Sequence, residues 1–322
     1  MASVTGARRL GRGGVEVGPL SFGAAAIAGL YTPVPEAQAA ETIRAALDGG
    51  LRYLDTAPHY GAGLSERRLG AALAGRPRDS FVVGTKVGRL LRPRAAGEPP
   101  DDSGFPGEPA YTREWDWSRD GIRRSLEGSL ERLGLDHVDI TYLHDPDDHE
   151  DLVYASAYPA LAELRDEGTV RAVGAGMNQT AMLTRFATRL DLDVVLCAGR
   201  YTLLDRTAAA DLLPACLERG VSVVVGGVFN SGLLADPRRG ARYDYAPAPD
   251  DVLARALRLR DVCAAHGVPL QAAALRFPLR HPAVATVLVG ARSVAEVTTD
   301  VELLRQEIPD ALWADLSATW LV

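Results

Sequence analysis

The chain has 322 residues, of which 47% are hydrophobic and 24% charged, and its formal net charge is −7. This composition is typical of a globular protein with a large core, and one α/β barrel can account for residues 1–322 as a single domain. The negative charge argues against nucleic acid and anionic membranes as partners, because both attract basic surfaces.

The cysteines and the N-terminal segment bear on the compartment. Cys197, Cys216 and Cys263 are too few and too widely spaced for a disulfide framework, so we predict reduced core thiols. No apolar stretch reaches the roughly 18 residues that a membrane span needs. The N-terminal segment also lacks the apolar centre of a secretion signal. A cytoplasmic protein without membrane association is expected.

The first predicted element is a β-hairpin in residues 8–20, where GRGG supplies the turn. Short apolar runs then alternate with stretches of helical period. The runs predicted as strands are 19–24, 52–55, 81–86, 138–144, 170–176, 193–199, 221–227 and 285–290. The predicted helices lie in 36–50, 65–75, 121–134, 156–168, 180–190, 208–220, 250–267 and 293–306. Several of these helical segments end in glycine, the usual helix stop.

The alternation of strands and helices predicts the fold class. Near-continuous apolar strands between helices indicate a parallel α/β sheet covered by helices on both faces. Eight such units favour closure into a (β/α)8 TIM barrel. An open doubly wound sheet is the alternative, but it requires a glycine-rich turn after the first strand, which GAAAIAG does not provide.

A long loop after the third predicted strand interrupts the alternation. Residues 88–118 are rich in proline, glycine and charge, show no helical period, and contain Tyr111, Trp115 and Trp117. A loop of this length is usually either functional or disordered. The grouping of aromatic residues favours a loop that covers a pocket.

Side chains with acid–base chemistry follow the ends of successive predicted strands. Asp55, Lys86 and His144 end the second, third and fourth strands, and Tyr60 lies on the loop after the second. Barrel enzymes carry their active sites at these strand ends, so the four side chains are expected on one rim. An ammonium favours the phenolate of a nearby tyrosine, and a carboxylate keeps a buried lysine charged. The set suits proton transfer combined with hydride transfer between alcohols and carbonyls.

These motifs resemble the aldo-keto reductase family over nearly the whole chain. The stretches that carry the resemblance are DTAPHYG, GTKVG, SLERLGLDHVDITYLHDPD, VRAVGAGMN, RYTLLD and ATVLVGARSVAEVTTDVELL. The resemblance implies an NAD(P)-dependent oxidoreductase whose catalytic tetrad is Asp55, Tyr60, Lys86 and His144. GAGMN and VLCAGRYTLLD are similar to a branch with sugar 1-dehydrogenases and pyridoxal 4-dehydrogenases. This branch implies oxidation of a cyclic aldose, such as L-fucose, to its lactone.

The resemblance also implies where the cofactor binds. The implied cofactor-binding residues are Gly23, Asn178, Phe229, Asn230, Ser231, Gly232, Leu233, Gly290, Arg292, Ser293, Glu296 and Asp300. Arg292 and Ser293 suit the 2′-phosphate of NADP, whereas Glu296 repels it and can accept a ribose hydroxyl, so NAD is weakly favoured. Ser293 and Glu296 also have the spacing of a helix capping box, which explains both residues without a cofactor.

The substrate side of the pocket is less well defined by sequence. Predicted substrate residues are Tyr31, His59, Trp115, Trp117 and Arg200. Met177, Ala198 and Gly226 stand where the family pattern implies a serine, a glutamine and an aromatic that stacks on nicotinamide. Phe229 is a candidate for the missing stacking surface, with core packing as the alternative. For Arg200, the alternative to a polar pocket contact is a surface ion pair.

Functions other than an oxidoreductase are also compatible with parts of the sequence. HDPDDHED (144–151) contains metal-ligating residue types, so a metal-dependent hydrolase on a barrel is a different enzyme class. Its ligands would lie mainly along one loop, whereas metal sites need ligands that converge, and no metal site is predicted. A non-catalytic cofactor-binding subunit is a further alternative. Within the family, an aldehyde or ketone reductase and a pyridoxal 4-dehydrogenase stay open, as does the oligomeric state.

Overall fold

A computed structural model describes residues 6–99, 104–105 and 110–319, and its first element is an antiparallel hairpin. The hairpin strands are β1 (Arg8–Leu10) and β2 (Val15–Val17). Leu10, Val15 and Val17 are buried among the side chains that fill the inside of the barrel. Gly11 N also donates a hydrogen bond to Ser222 Oγ at 2.9 Å, at the start of a barrel strand. The predicted hairpin is confirmed, and it closes the barrel at the end where the strands begin.

The remaining strands form one closed barrel and two separate ribbons. They are β3 (Leu20–Gly23), β4 (Tyr53–Asp55), β5 (Val82–Val87), β6 (Arg89–Pro93), β7 (Tyr111–Trp115), β8 (Ile140–His144), β9 (Ala172–Met177), β10 (Val194–Ala198), β11 (Ser222–Gly226), β12 (Arg242–Tyr243), β13 (Ala246–Pro247) and β14 (Val284–Val289). The parallel barrel order is β3, β4, β5, β8, β9, β10, β11, β14 and back to β3. The predicted TIM barrel is therefore confirmed. It was predictable because strands that are buried on both faces leave long apolar runs in the sequence.

Helices cover the outside of the barrel. They are α1 (Glu36–Asp48), α2 (Leu64–Leu73), α3 (Arg119–Leu133), α4 (Glu150–Leu152), α5 (Tyr158–Asp166), α6 (Thr180–Arg189), α7 (Leu212–Arg219), α8 (Asp250–Ala265), α9 (Leu270–Arg276), α10 (Val294–Arg305) and α11 (Asp310–Thr319). Every predicted helical segment overlaps one of them, and α2 and α3 begin one and two residues earlier than predicted. The ends of α3 follow from the sequence, since Ser118 Oγ accepts a hydrogen bond from Gly121 N at 3.0 Å and Gly134 ends the helix at φ 65.

The loop after β5 contains more regular structure than predicted. β6 and β7 pair as an antiparallel ribbon, from Arg89 opposite Trp115 to Pro93 opposite Tyr111. Gly88, at φ 100, lies where a Cβ atom would overlap the Trp117 ring. The ribbon was missed because its charged, half-exposed strands give no apolar run. Residues 100–103 and 106–109 of the predicted loop lie outside the described residues.

The cysteines agree with the prediction of reduced core thiols. Cys197, Cys216 and Cys263 are free and buried. Burial raises the pKa of Cys197 and of Cys216 to about 12, so both thiols are protonated at neutral pH. None of the described helices is both long enough and apolar enough to cross a membrane.

Candidate active site

A buried ion pair joins the ends of two neighbouring barrel strands. Lys86 Nζ on β5 donates to Asp55 Oδ1 on β4 at 2.6 Å and to the Thr56 carbonyl oxygen at 2.9 Å. Both charged side chains are almost inaccessible to solvent, with 2% and 3% of their surface exposed. Burial alone would lower the pKa of Lys86, but the charge of Asp55 and its hydrogen bond, together with the interaction with Tyr60, outweigh burial and raise the pKa. The lysine is therefore an ammonium held at a fixed point on the rim.

Tyr60 and His144 complete the predicted set of four. The turn after β4 returns Tyr60 to the rim, and Lys86 Nζ lies 4.8 Å from the centre of its ring. His144 ends β8, and its ring centre is 5.9 Å from that of Tyr60 at an interplanar angle of 88°. The structure thus brings Asp55, Tyr60, Lys86 and His144 together.

The pKa of Tyr60 is shifted in the direction opposite to the one expected beside an ammonium. Burial raises the pKa of Tyr60, and the charge of Lys86 opposes this rise only in part. The Asp55 carboxylate adds to the rise because it repels a phenolate. Tyr60 is therefore a phenol in the protein alone, and Asp55 helps only indirectly, by keeping Lys86 charged.

Two neighbouring histidines in the site are neutral. His59 and His144 have ring centres 5.7 Å apart. Burial lowers the pKa of His144 well below its ordinary value, and the charges of Arg89 and Lys86 lower it further. Burial, followed by the charges of Arg89, Arg113 and Lys86, lowers the pKa of His59 to about 3. Each imidazole can therefore offer one donor and one acceptor to a substrate.

These histidines should make the stability of the protein depend on pH. Their pKa values are depressed by folding, so below the ordinary value of 6.5 the unfolded chain binds more protons than the folded chain. The free energy of unfolding is expected to be highest above pH 6.5 and to fall as pH drops toward about 3. His59→Gln should weaken this dependence. Urea unfolding on both sides of pH 6.5 checks it, and an unchanged slope in the variant would contradict it.

Two buried tyrosines lie directly beneath the ion pair. Tyr53 Oη donates to Asp55 Oδ2 at 3.2 Å and is 2.9 Å from Tyr142 Oη. Neither tyrosine is exposed. A Cβ atom at Gly84 would approach Tyr53 Oη to 2.8 Å, so the glycine provides room for the phenol. Both oxygens of Asp55 therefore have hydrogen-bond partners, which fixes the carboxylate.

Three of the four side chains, those of Tyr60, Lys86 and His144, line a cavity of about 1080 Å³. Tyr31, His59 and Trp115, three of the predicted substrate residues, are in its wall. Phe105 also lines it, with its ring centre 5.7 Å from that of His59. The loop after β5 thus contributes aromatic side chains to the pocket, as predicted. The volume is sufficient for a small organic molecule.

Two predicted substrate residues do not reach this wall. Trp117 is 3% exposed and stacks behind Trp115, with ring centres 5.6 Å apart, so it supports the wall. Arg200 forms ion pairs with Asp205 at 3.3 Å and with Asp244 at 2.9 Å. Arg200 is thus held in the ion pairs that were the alternative for it, and its role as a pocket contact stays a prediction.

The matches to known proteins agree with this geometry. A model of the aldo/keto reductase family matches residues 19–320. The chain belongs to the aldo/keto reductase family. It is 47% identical over 315 residues to D-threo-aldose 1-dehydrogenase from a Pseudomonas species, covering 96% of each chain. It is 41% identical over 334 residues to pyridoxal 4-dehydrogenase from Microbacterium luteolum, covering 98% of this chain and 97% of that one.

Solved structures show the same fold. The glycerol dehydrogenase from Gluconobacter oxydans has a TM-score of 0.77 and 25% identity, and the match covers 99% of this chain and 95% of that one. The family and fold predicted from sequence are confirmed. This aldo-keto reductase is an NAD(P)-dependent oxidoreductase.

Polar atoms without partners occur where the cofactor is expected. Asn230 Oδ1 and Arg292 Nε are buried and have no hydrogen-bond partner among the described residues. Buried polar atoms usually have partners, so these atoms fit a ligand with hydroxyl or phosphate groups. Asn178, the implied carboxamide ligand, lines the cavity beyond the end of β9. The residues present therefore fit a nicotinamide dinucleotide.

The strand-end loops place the other implied cofactor residues in two groups. Gly23 and Gly290 are neighbours on the rim, with 3.6 Å between Gly23 O and an ideal Cβ at Gly290. After β11, Ser231 Oγ accepts a hydrogen bond from Tyr245 N, and Gly232 follows at φ 98. Phe229 and Leu233 pack against the hydrophobic core. Core packing, the alternative for Phe229, is thus what the structure contains.

The segment implied to select the cofactor has a complete helix cap. Ser293 Oγ accepts a hydrogen bond from Glu296 N at 3.2 Å, and Glu296 Oε2 accepts one from Arg292 N at 2.7 Å. These are the reciprocal bonds of a capping box, shifted by one residue on the carboxylate side. Asp300 is 8% exposed on the same helix, and burial together with Glu296 raises its pKa to about 7.

Sequence reasoning missed one ribbon over the cavity, formed by β12 and β13. Its turn residues Asp244 and Tyr245 have φ values of 49 and 66, as in a two-residue hairpin turn. Tyr245 lines the cavity beside Asn178 and is 56% exposed. The sequence signal was weak, because RYDYAP lacks the Asn-Gly or Asp-Gly pair that marks such turns.

The segment 144–151 pairs its acids with arginines. Asp145 binds Arg89 at 2.6 Å, and Glu150 binds Arg185 at 2.6 Å. Among the described residues there is no group of three or more His, Cys, Asp or Glu side chains arranged to hold a metal ion. Two of the acidic residues in this segment, Asp145 and Glu150, are thus held in ion pairs with arginines.

Proposed function

We propose that this aldo-keto reductase oxidises the anomeric carbon of a cyclic aldose, using Asp55, Tyr60, Lys86 and His144. The observation that carries the proposal is the placement of Lys86 Nζ, 2.6 Å from Asp55 Oδ1 and 4.8 Å from the Tyr60 ring centre. The charge of the ammonium is thereby directed at a phenol that lies beside a neutral imidazole. This is the environment that makes tyrosine useful as an acid or base.

In the oxidative direction, Tyr60 takes the proton of the anomeric hydroxyl. Lys86 stabilises the phenolate that accepts this proton, and Asp55 keeps Lys86 charged. Neutral His144 orients the substrate oxygen through a hydrogen bond. A bound nicotinamide would supply the hydride acceptor. Loss of one hydride and one proton converts the hemiacetal into a lactone. In the reverse direction Tyr60 donates the proton.

The similarity to D-threo-aldose 1-dehydrogenase, at 47% identity, supports an aldose as the substrate. Pyridoxal 4-dehydrogenase, at 41% identity, supports pyridoxal as a second candidate, since it also forms a cyclic hemiacetal. Both substrates present a hydroxyl on the carbon to be oxidised. The proposal extends to one domain over residues 1–322, supported by the single barrel and the match over residues 19–320. It also places the enzyme in the cytoplasm, supported by three free cysteines.

A screen of cofactor reduction tests the function. L-Fucose, related aldoses, pyridoxal and simple aldehydes would each be assayed with NAD and NADP by the absorbance of the reduced cofactor. Turnover of an aldose at the highest kcat/KM in the panel is expected. A preference for pyridoxal would select the second candidate. Turnover of simple aldehydes alone would exclude both.

We further propose that NAD is preferred over NADP. Support comes from Glu296, an exposed carboxylate at the first turn of α10, where a 2′-phosphate would meet its negative charge. Glu296→Arg should raise the ratio of kcat/KM for NADP to that for NAD roughly tenfold or more, since charge-assisted hydrogen bonds contribute about 1.5–3 kcal/mol. Steady-state kinetics with both cofactors measures this ratio.

The control for this substitution lies on the same helix. Glu302→Arg changes the net charge equally at an exposed position and should leave the cofactor ratio unchanged. An unchanged ratio in Glu296→Arg would show that Glu296 serves only as the helix cap.

A further inference from the structure

An arginine that sequence reasoning did not select lies in the wall of the cavity. Arg89 begins β6, three residues after Lys86, and 11% of its side chain is exposed. Its guanidinium carbon lies 4.2 Å from the ring centre of Trp115, a stacking distance. Its Nη2 atom donates to Asp145 Oδ2 at 2.6 Å. The arginine is therefore held by an aromatic face on one side and a carboxylate on the other.

The backbone conformation of Asp145 is what brings this carboxylate to the site. Asp145 follows His144 directly and has a φ of 44, in the left-handed region that non-glycine residues seldom occupy. Its backbone N–H donates to Gly176 O at 3.0 Å, which holds the conformation. Its Oδ2 atom lies 3.5 Å from His144 Nε2. The pair Arg89–Asp145 is thus next to the group that orients the reacting oxygen.

The pair has hydrogen-bonding capacity left over. Arg89 Nε is buried and has no hydrogen-bond partner among the described residues. A buried donor without a partner destabilises the site, so a ligand atom that accepts from it would be favoured. Asp145 retains 37% of its side-chain surface exposed, which leaves carboxylate lone pairs available. Both residues line the cavity.

The chemistry of the pair indicates the kind of ligand. A guanidinium donates and a carboxylate accepts, so together they complement hydroxyl groups, which do both. Because the two charges cancel, the pair does not select an anion. The Trp115 ring is stacked against Arg89 and Trp117, so it orients the guanidinium and is not a free face for the ligand. We propose that Arg89 and Asp145, beside Trp115, bind two neighbouring hydroxyl groups of the cyclic aldose. This inference rests on the proposed function.

Two substitutions test this subsite without disturbing its frame. Arg89→Met keeps an apolar stem against Trp115 but removes every donor. Asp145→Asn removes the charge, and asparagine tolerates the left-handed backbone. The matched control is Arg92→Met, on the same strand but exposed and paired with Glu98. Thermal unfolding and cofactor-binding fluorescence show whether each variant is folded.

The measurement compares the best aldose with its monodeoxy analogues. In the wild type, kcat/KM should fall by about 10- to 100-fold for the analogue that lacks a hydroxyl bound by the pair, since one such hydrogen bond contributes about 1.5–3 kcal/mol. In Arg89→Met and Asp145→Asn, kcat/KM for the parent aldose should fall by a similar factor, and the preference for parent over that analogue should approach one. Arg92→Met should keep the wild-type preference.

Two further outcomes separate this inference from the proposed function. If the variants lose the same factor for the parent and for every deoxy analogue, the preference is unchanged and the pair does not bind hydroxyls. If the wild type oxidises no aldose in the panel, the proposed function fails first, and the subsite falls with it.

Discussion

Replacing Tyr60 with phenylalanine is expected to lower kcat by about 10²- to 10⁴-fold, the range that a positioned general acid or base contributes. Phenylalanine retains the ring that lies 4.8 Å from Lys86 Nζ and removes only the hydroxyl. The loss should therefore appear in kcat for oxidation and for reduction alike. Binding of the nicotinamide cofactor, followed by fluorescence, should persist.

A second tyrosine substitution makes this result specific. Tyr154 lies outside the barrel, where its hydroxyl is 3.4 Å from Glu150 Oε1, and Tyr154→Phe should leave kcat near the wild-type value. Near-normal turnover in Tyr60→Phe would instead show that another group transfers the proton.

Replacing Lys86 with methionine is expected to have the largest effect on stability. The substitution leaves Asp55 buried without its partner, and breaking a buried pair in this way costs about 3–5 kcal/mol. Urea unfolding measures the change in the free energy of unfolding. Turnover should fall as well, because Tyr60 loses the charge that stabilises its phenolate.

A double variant separates stability from catalysis. Lys86→Met with Asp55→Asn removes both charges, so it should recover part of the lost stability but none of the activity. If Lys86→Met alone were as stable as the wild type, Asp55 would have to be neutral in the folded protein. If the double variant regained turnover, Lys86 would not act on Tyr60.

The acid–base residues at the strand ends were predictable because their positions follow from the order of residues along each strand. A barrel strand buried on both faces leaves an apolar run, and the residue that ends the run reaches the rim. Asp55, Lys86 and His144 were found by this rule. α9 was missed because five of its seven residues are buried, so it has no polar face to give a helical period.

Contacts between distant loops could not be predicted in this way. Tyr245 approaches Asn178 only because Arg200 holds Asp244 and Ser231 holds the backbone of Tyr245. The role of Arg89 was hidden because its strand belongs to a ribbon with no apolar run. The direction of the pKa shift of Tyr60 depends on burial, which a single sequence does not report.

The ion pair of Asp55 and Lys86 has the buried side chains of Tyr53 and Tyr142 on one side and the cavity on the other. Below Tyr53 and Tyr142 the barrel is filled by apolar side chains down to the hairpin of β1 and β2. Among the described residues the reacting groups face the cavity at the rim, and the dielectric response around them depends on what covers that cavity. A substrate large enough to displace water from the cavity strengthens the field of Lys86 at Tyr60. Small aldehydes leave the water in place, so substrate size itself should tune the catalytic power of the ion pair.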